Sequence, residues 1–195
     1  MAGDWLAVRR SEVAADRILD AAESLFTRHD AATVGMNEIA RAAGCSRATL
    51  YRYYENRDAL HLAYVHRETF RVFGEIGKQI ADITDPRRRL LDGVTIALRS
   101  VRESAALSSW FVATGRPIGG EVAAQSDVIT GLVAAFLAAL SPDLDAVSAR
   151  RRANWLVRMM VSLLMFPGAN EDDERTMIDE FVVAQLIPLP DQASQ

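Results

Sequence analysis

Residues Met36–Arg57 read MNEIARAAGCSRATLYRYYENR, and the fold turns on them. Met36, Ile39, Ala40 and Ala43 recur at the spacing of one helical face, and the pattern ends at Gly44, a residue type that accepts the left-handed conformation after a helix. Ser46 then offers a side-chain oxygen to cap a second helix, on which Leu50 and Tyr54 share a face. Two short helices joined by a brief turn containing glycine form a helix-turn-helix, whose second helix enters the DNA major groove. With Leu50 and Tyr54 turned inward, Ala48 and Arg52 lie opposite, flanked by Thr49 and Tyr51, and Arg47 sits in the first turn. Arg47 and Arg52 can then pair with guanine, Ala48 and the Thr49 methyl can pack on thymine methyls, and hydroxyls can hold phosphates. Arg57 adds a phosphate-directed charge at the start of the next helix.

Helical periodicity extends in both directions from this segment. Upstream, Ile18, Ala21, Ala22, Leu25 and Phe26 mark one face of a helix that begins at Ser11. Downstream, Asn56 can cap a long helix carrying Leu60, Ala63, Phe70, Phe73, Ile76, Ile80 and Ile83. Asp85-Pro86 and Ser141-Pro142 both read as a cap followed by proline at the first helical position. Between them lies a break at Arg116-Pro117 and Gly119-Gly120, then a stripe of Val128, Leu132, Ala135, Phe136 and Ala139. Asn170 and the acidic run Glu171 to Glu174 open the last helix, where negative charge complements the helix dipole. The pattern predicts an all-α chain of about nine helices. A helix-turn-helix unit spans 11–58, a larger helical domain spans 59–187, and 1–10 and 188–195 read as flexible tails.

Composition narrows the function. The 195 residues carry a formal charge of −4, which argues against a chain that coats nucleic acid; the local excess of Arg41, Arg47, Arg52 and Arg57 over Glu38 and Glu55 leaves room for one DNA-binding surface. The longest apolar run, Leu132 to Leu140, is about half a bilayer crossing, and no secretory signal is legible, so a cytoplasmic protein with no membrane partner is expected. Cys45 is the single cysteine and reads as a small core residue. His61 and His66 are five apart and point to different sides of a helix, so no metal site and no cofactor is expected. Arg87, Arg88 and Arg89 read as a solvated first turn. The rival to a DNA-binding regulator is an all-helical enzyme or small-molecule carrier; no Gly-rich phosphate loop and no Gly-x-Ser-x-Gly nucleophile motif is present, so an enzyme is not expected.

The run Arg17–Phe26, then Met36–Gly44, Ser46–Tyr54 and Asn56–Leu60, resembles the amino-terminal domain of the TetR (tetracycline repressor) family of bacterial regulators. The resemblance covers about residues 11 to 65. It implies a homodimer that binds a palindromic operator on double-stranded DNA and leaves it when a small molecule occupies the carboxy-terminal domain. By position, it puts Arg47, Ala48 and Thr49 at the bases and Tyr51, Tyr53 and Arg57 on phosphates. Gly35 stands where the family usually has a Thr or Ser cap, and Arg57 replaces a usual Lys while keeping its charge.

Large apolar side chains in the second half raise two further expectations. Trp110, Phe111, Phe136, Trp155 and Met159 are candidate walls of a cavity for a small hydrophobic effector. The helix from Trp155 to Phe166 is apolar on two sides and must be covered on both. Leu156, Met160, Leu163 and Leu164, with Met177, Ile178, Phe181 and Val182 of the last helix, are the candidate dimer interface, a four-helix bundle between two chains.

Overall fold

The computed structural model describes residues 5–111 and 118–187, with side chains from residue 12 onward. Among the described residues every regular element is a helix. The helix-turn-helix unit holds α1 (Trp5–Phe26), α2 (Met36–Ala42) and α3 (Arg47–Tyr53). A long α4 (Arg57–Gln79) leaves it and leads to α5 (Pro86–Glu103), the short α6 (Ala105–Ser108), α7 (Ile118–Gln125), α8 (Asp127–Leu140) and α9 (Ala146–Met165). The last helix, α10, is composite: an α segment Glu171–Met177, a π-helical turn Ile178–Val183 and a final turn Ala184–Leu186.

Most helices begin on a side-chain cap. Ser46, Asn56, Asp85, Ser104, Ser126, Asp145 and Asn170 each accept a backbone N–H from the first turn of α3, α4, α5, α6, α8, α9 and α10, satisfying a donor that has no partner within the helix. At α2 the cap residue is Gly35, and the carboxylate of Glu38 accepts its N–H at 2.9 Å. The turn into α3 has Gly44 at φ 68°, with the N–H of Cys45 donating to Ala40 O and that of Gly44 to Arg41 O. This is the Schellman arrangement, and it requires the left-handed residue that glycine supplies without a steric penalty.

Several boundaries differ from the sequence reading. Helix α1 starts at Trp5, so part of the expected tail is helical; Leu6, Ala7, Arg9 and Arg10 are good helix formers with no proline or glycine among them. Asp145 caps α9 in place of Ser141, because Ser141 to Leu144 is closed into a turn by a hydrogen bond from Leu144 N–H to Ser141 O. Helix α8 buries Thr130, Val133, Leu137 and Leu140 while Ala135 and Ala139 face outward. That helix is apolar all round, so its letters do not select a face. On α4, Leu60 and Ile76 are buried as expected, but Phe70 is exposed and the inward face also carries His61, Tyr64, Glu68 and Val72. The expected break at Arg116-Pro117 and the tail 188–195 lie outside the described residues.

Two main cores form. The first joins Ile18, Ala22 and Phe26 of α1, Ile39 of α2, Leu50 of α3 and Leu60 and Tyr64 of α4, and it also takes in Ala106, Leu107 and Trp110 from the second half of the chain. The second packs α5 and α8–α10 around Leu90, Leu98, Leu137, Ala153 and Val183. Arg87 and Arg152 donate to the carbonyls of Ile187 and Leu186, so guanidiniums from α5 and α9 satisfy the open end of α10.

The ends of α5, α9 and α10 are held by one nearly buried ion pair. Arg102 donates to both oxygens of Glu174, at 2.7 and 2.8 Å, and to Leu163 O at 2.9 Å, while Gly168 N–H donates to Glu174 at 3.0 Å. The Arg102 guanidinium holds the Glu174 carboxyl below the usual carboxylate range against the opposing cost of burial. Its contribution to stability is therefore present above the unfolded pKa and is lost as pH falls through the depressed folded value. Replacing Glu174 with Gln is expected to cost about 2 kcal/mol, since a charge-assisted bidentate contact is lost and Arg102 is left without its partner. Urea melts at neutral pH measure the loss, and the difference between wild type and variant should shrink below about pH 4 as the wild-type carboxyl protonates.

Candidate DNA-binding surface and ligand cavity

The two short helices place the sequence-predicted contacts on one outward face. Leu50 is fully buried and Tyr54 nearly so, while Arg47, Ala48, Tyr51 and Arg52 are exposed and Thr49 and Tyr53 are half-buried. The guanidinium of Arg47 lies over the Tyr51 ring at 5.9 Å and that of Arg52 over the Tyr53 ring at 5.4 Å. Both cations are thus lodged against aromatic faces with their donors left for other partners. Ser46 Oγ and Thr49 Oγ1 are hydrogen-bonded at 2.9 Å, which orients the first turn of α3. Arg57 is also exposed, and its guanidinium donates to Ala32 O at 2.9 Å, tying the start of α4 to the loop after α1. Arg41, exposed at the end of α2, adds charge beside this face.

Helix α4 carries this unit into the second half over a length of about 34 Å. Arg67 clamps it to α1, donating to Asp20 and Glu23 at 2.7 Å each. Deeper in the same junction Trp110 stacks on Tyr64 at 5.7 Å and meets Phe26 and His61 edge-on at 5.4 and 5.0 Å. Trp110, Tyr64 and His61 are almost wholly buried, and Trp110 Nε1, Tyr64 Oη and His61 Nε2 have no hydrogen-bond partner.

Trp110 is also part of the wall of a partly open cavity of about 250 Å³ lined by residues of α4–α9. From α4 come Val65, Glu68, Thr69, Val72, Ile76 and Ile80; from α5, Arg89, Gly93, Val94 and Ala97. Leu107, Phe111, Val133 and Phe136 close another side, and α9 contributes Leu156, Val157, Met160, Val161 and Leu164. Of the polar residues on this wall, Glu68 is held by Arg71 through contacts of 2.9 and 2.7 Å, and the Thr69 hydroxyl donates to Val65 O at 2.7 Å. Gly93 faces Phe136, whose ring lies 3.4 Å from where a Cβ would stand, so the missing side chain keeps that wall open.

The structure therefore sorts the apolar candidates differently from the sequence. Trp110, Phe111 and Phe136 line the cavity, whereas Trp155 and Met159 do not. Leu156, Met160 and Leu164, expected at a dimer interface, point into the cavity instead. Ile178 and Val182 belong to the second core and are buried within the protomer, and Leu163 packs against that core. What α9 and α10 leave outward is Trp155, Phe166 and Phe181, exposed by 37, 69 and 63%, with Met159 and Met177 half-buried. Both faces of α9 are apolar, so letters alone could not say which one turns inward. Arg89 differs in part from that reading: the residue is half-buried and its Nε is out of solvent at the cavity wall, whereas Arg88 of the same turn is exposed.

A family model described as "Bacterial regulatory proteins, tetR family" matches residues 18–64. An uncharacterized HTH-type transcriptional regulator of Mycobacterium tuberculosis is 61% identical over 189 residues, covering 96% of this chain and 93% of the relative. The chain belongs to the TetR family. It is a helix-turn-helix transcriptional regulator. Among solved structures of this fold, Thermus thermophilus FadR in complex with lauroyl-CoA superposes with a TM-score of 0.65 at 19% identity, over 93% of this chain and 98% of that one. RolR in complex with resorcinol gives a TM-score of 0.70 at 15% identity, over 94 and 98% of the two chains. Among the described residues no single helix is long and apolar enough to cross a membrane.

The polar atoms at the junction were not legible as a group, because His61, Tyr64 and Glu68 are polar letters in a helix whose apolar residues drew the face elsewhere. Their burial leaves a signature that can be titrated. Desolvation lowers His61 from its ordinary value to about 4, so the folded protein keeps the ring neutral where the unfolded chain would protonate it below about 6.5. Stability should then fall as pH drops from about 6.5 towards 4, by at most about 1.4 kcal/mol per pH unit. Urea melts at pH 7, 6 and 5 are expected to show this slope in wild type and a flatter one in His61→Leu; equal slopes would assign the effect to other groups.

Proposed function

We propose that this TetR-family regulator acts as a homodimeric repressor that binds a palindromic operator through α3 and is released when a small hydrophobic effector fills the cavity between α4 and α9. The observation that carries the reading is the double membership of Trp110: one side chain belongs both to the core of the DNA-binding unit and to the cavity wall. In this reading Arg47, Ala48, Thr49 and Arg52 meet base edges, and Tyr51, Tyr53 and Arg57 hold phosphates. Two copies of α3 must lie about 34–36 Å apart to enter successive major grooves. A ligand that favours a different setting of Trp110 against Phe26 and Tyr64 shifts α1 and α4, and with them that spacing, by a coupling of about 1–3 kcal/mol.

The outward apolar strip of α9 and α10 supports the dimer. Trp155, Met159, Ser162 and Phe166 follow one another at helical spacing, and Phe181 adds a second exposed ring from α10. Large apolar side chains grouped on a surface mark an interaction site, and two helices from each copy would bury this strip in an intermolecular four-helix bundle. The bound ligands of the structural relatives, an acyl thioester in one and a phenolic ring in the other, support a small-molecule effector in general terms.

Selection from a random duplex library should recover one palindromic sequence. Arg47→Ala and Arg52→Ala are each expected to weaken binding to it by about 1–3 kcal/mol while changing non-specific binding much less; an unchanged ratio of specific to non-specific affinity in both variants would remove these residues from base reading. Phe166→Glu combined with Phe181→Glu is expected to convert a dimer to a monomer in sedimentation equilibrium with the helical circular dichroism retained. A variant that remains dimeric would place the interface elsewhere.

A further inference from the structure

Among the described residues the cavity wall contains one cation, Arg89, that no carboxylate answers. Arg89 Nε is buried without an acceptor, and no carboxylate of the described residues pairs with its guanidinium. Its neighbours Arg87 and Arg88 do have partners, in Ile187 O with Asp179 and in Asp92 respectively. Glu68, the acidic residue on the wall, is already committed to Arg71 and Arg67. An unpaired charge against an apolar surface is costly, and an anion delivered from outside removes that cost.

The placement of Arg89 also sets a direction. It lies in the first turn of α5, beside the Gly77 and Ile80 end of α4, whereas Trp110 and Leu107 mark the other end beside Val65. The α4 residues on the wall, Val65 to Ile80, run along about 22 Å of helix axis. A volume of about 250 Å³ holds roughly eight groups the size of a water or methylene. A lining this long and mostly apolar offers an aliphatic chain contact along α4.

Resting on the reading of this cavity as an effector site, we propose that the effector is an unbranched aliphatic anion of about eight to ten carbons. Its carboxylate pairs with Arg89, and its chain runs along α4 toward Trp110. The positive pole selects the head group and the length of the apolar wall selects the tail. A neutral chain of equal length loses the charge-assisted pair, and a carboxylate on a fused ring keeps the pair but cannot extend along the α4 wall toward Trp110.

Three probes separate these features by calorimetric titration of the purified full chain: octanoate, 1-octanol and 2-naphthoate. Octanoate is expected to bind at least tenfold more tightly than either of the others. Arg89→Gln should abolish the preference of octanoate over octanol while leaving octanol binding in place, and Arg89→Lys should restore part of it. The melting temperature of ligand-free Arg89→Gln should stay at or near that of wild type, because Arg89 makes no hydrogen bond or ion pair among the described residues, which separates a binding role from a structural one. Octanol binding as tightly as octanoate would overturn the role of Arg89 and leave the cavity reading intact. Naphthoate binding as tightly as octanoate would overturn the linear chain. Failure of all three probes to bind, with operator binding intact, would overturn both this proposal and the use of the cavity as an effector site for such compounds.

Discussion

The packing of Trp110 against Phe26, His61 and Tyr64 is the contact on which the rest of the structure depends. Together with Ala106 and Leu107 it joins the helix-turn-helix unit to the second half beside the α4 connection. Two aromatic rings and an imidazole close the first core around a side chain that comes from beyond α6. The cost is three buried polar atoms with no partner, and a core that tolerates such atoms is held in place by packing on every side. Arg67, spanning Asp20 and Glu23, closes the outer edge of the same junction with charge. Any displacement on the cavity side of Trp110 therefore meets the DNA-binding unit directly, with no flexible segment between.

The sequence was most legible where local chemistry decides the outcome. Gly44, Ser46, Asn56, Asp85-Pro86 and Asn170 act at the positions their residue types indicate, because a cap or a left-handed turn depends on a few neighbouring atoms. Leu50 and Tyr54 face inward as the helical period requires. Ser141-Pro142 misled for an instructive reason: the same pair of residue types also makes a tight turn, and only the position of Asp145 a few residues on decides between them.

Legibility failed where the choice lay between two apolar faces. On α9 the side chains of Leu156, Met160 and Leu164 and those of Trp155, Met159 and Phe166 are equally hydrophobic, and the inward set is chosen by what α4, α5 and α8 place opposite it. The reverse failure occurred at polar letters. Glu68 and Glu174 are buried because Arg71 and Arg102, distant or near in sequence, meet them with paired hydrogen bonds. Arg89 was read with Arg87 and Arg88 as one charged run, yet successive residues on a helix point about 100° apart, so one turn can send three arginines to three different environments.

The side-chain caps on seven of the helices bear on how the chain reaches this structure as well as on what it looks like. Each cap fixes the start of its helix from within four residues, so the helix frame is set before any distant contact exists. Local instructions of this kind agree with the final packing and lower the number of competing registers, which is the condition for a smooth folding landscape. The junction is different in kind: Trp110 follows its partners Phe26, His61 and Tyr64 by more than forty residues, so its packing waits on a non-local contact that no cap can set.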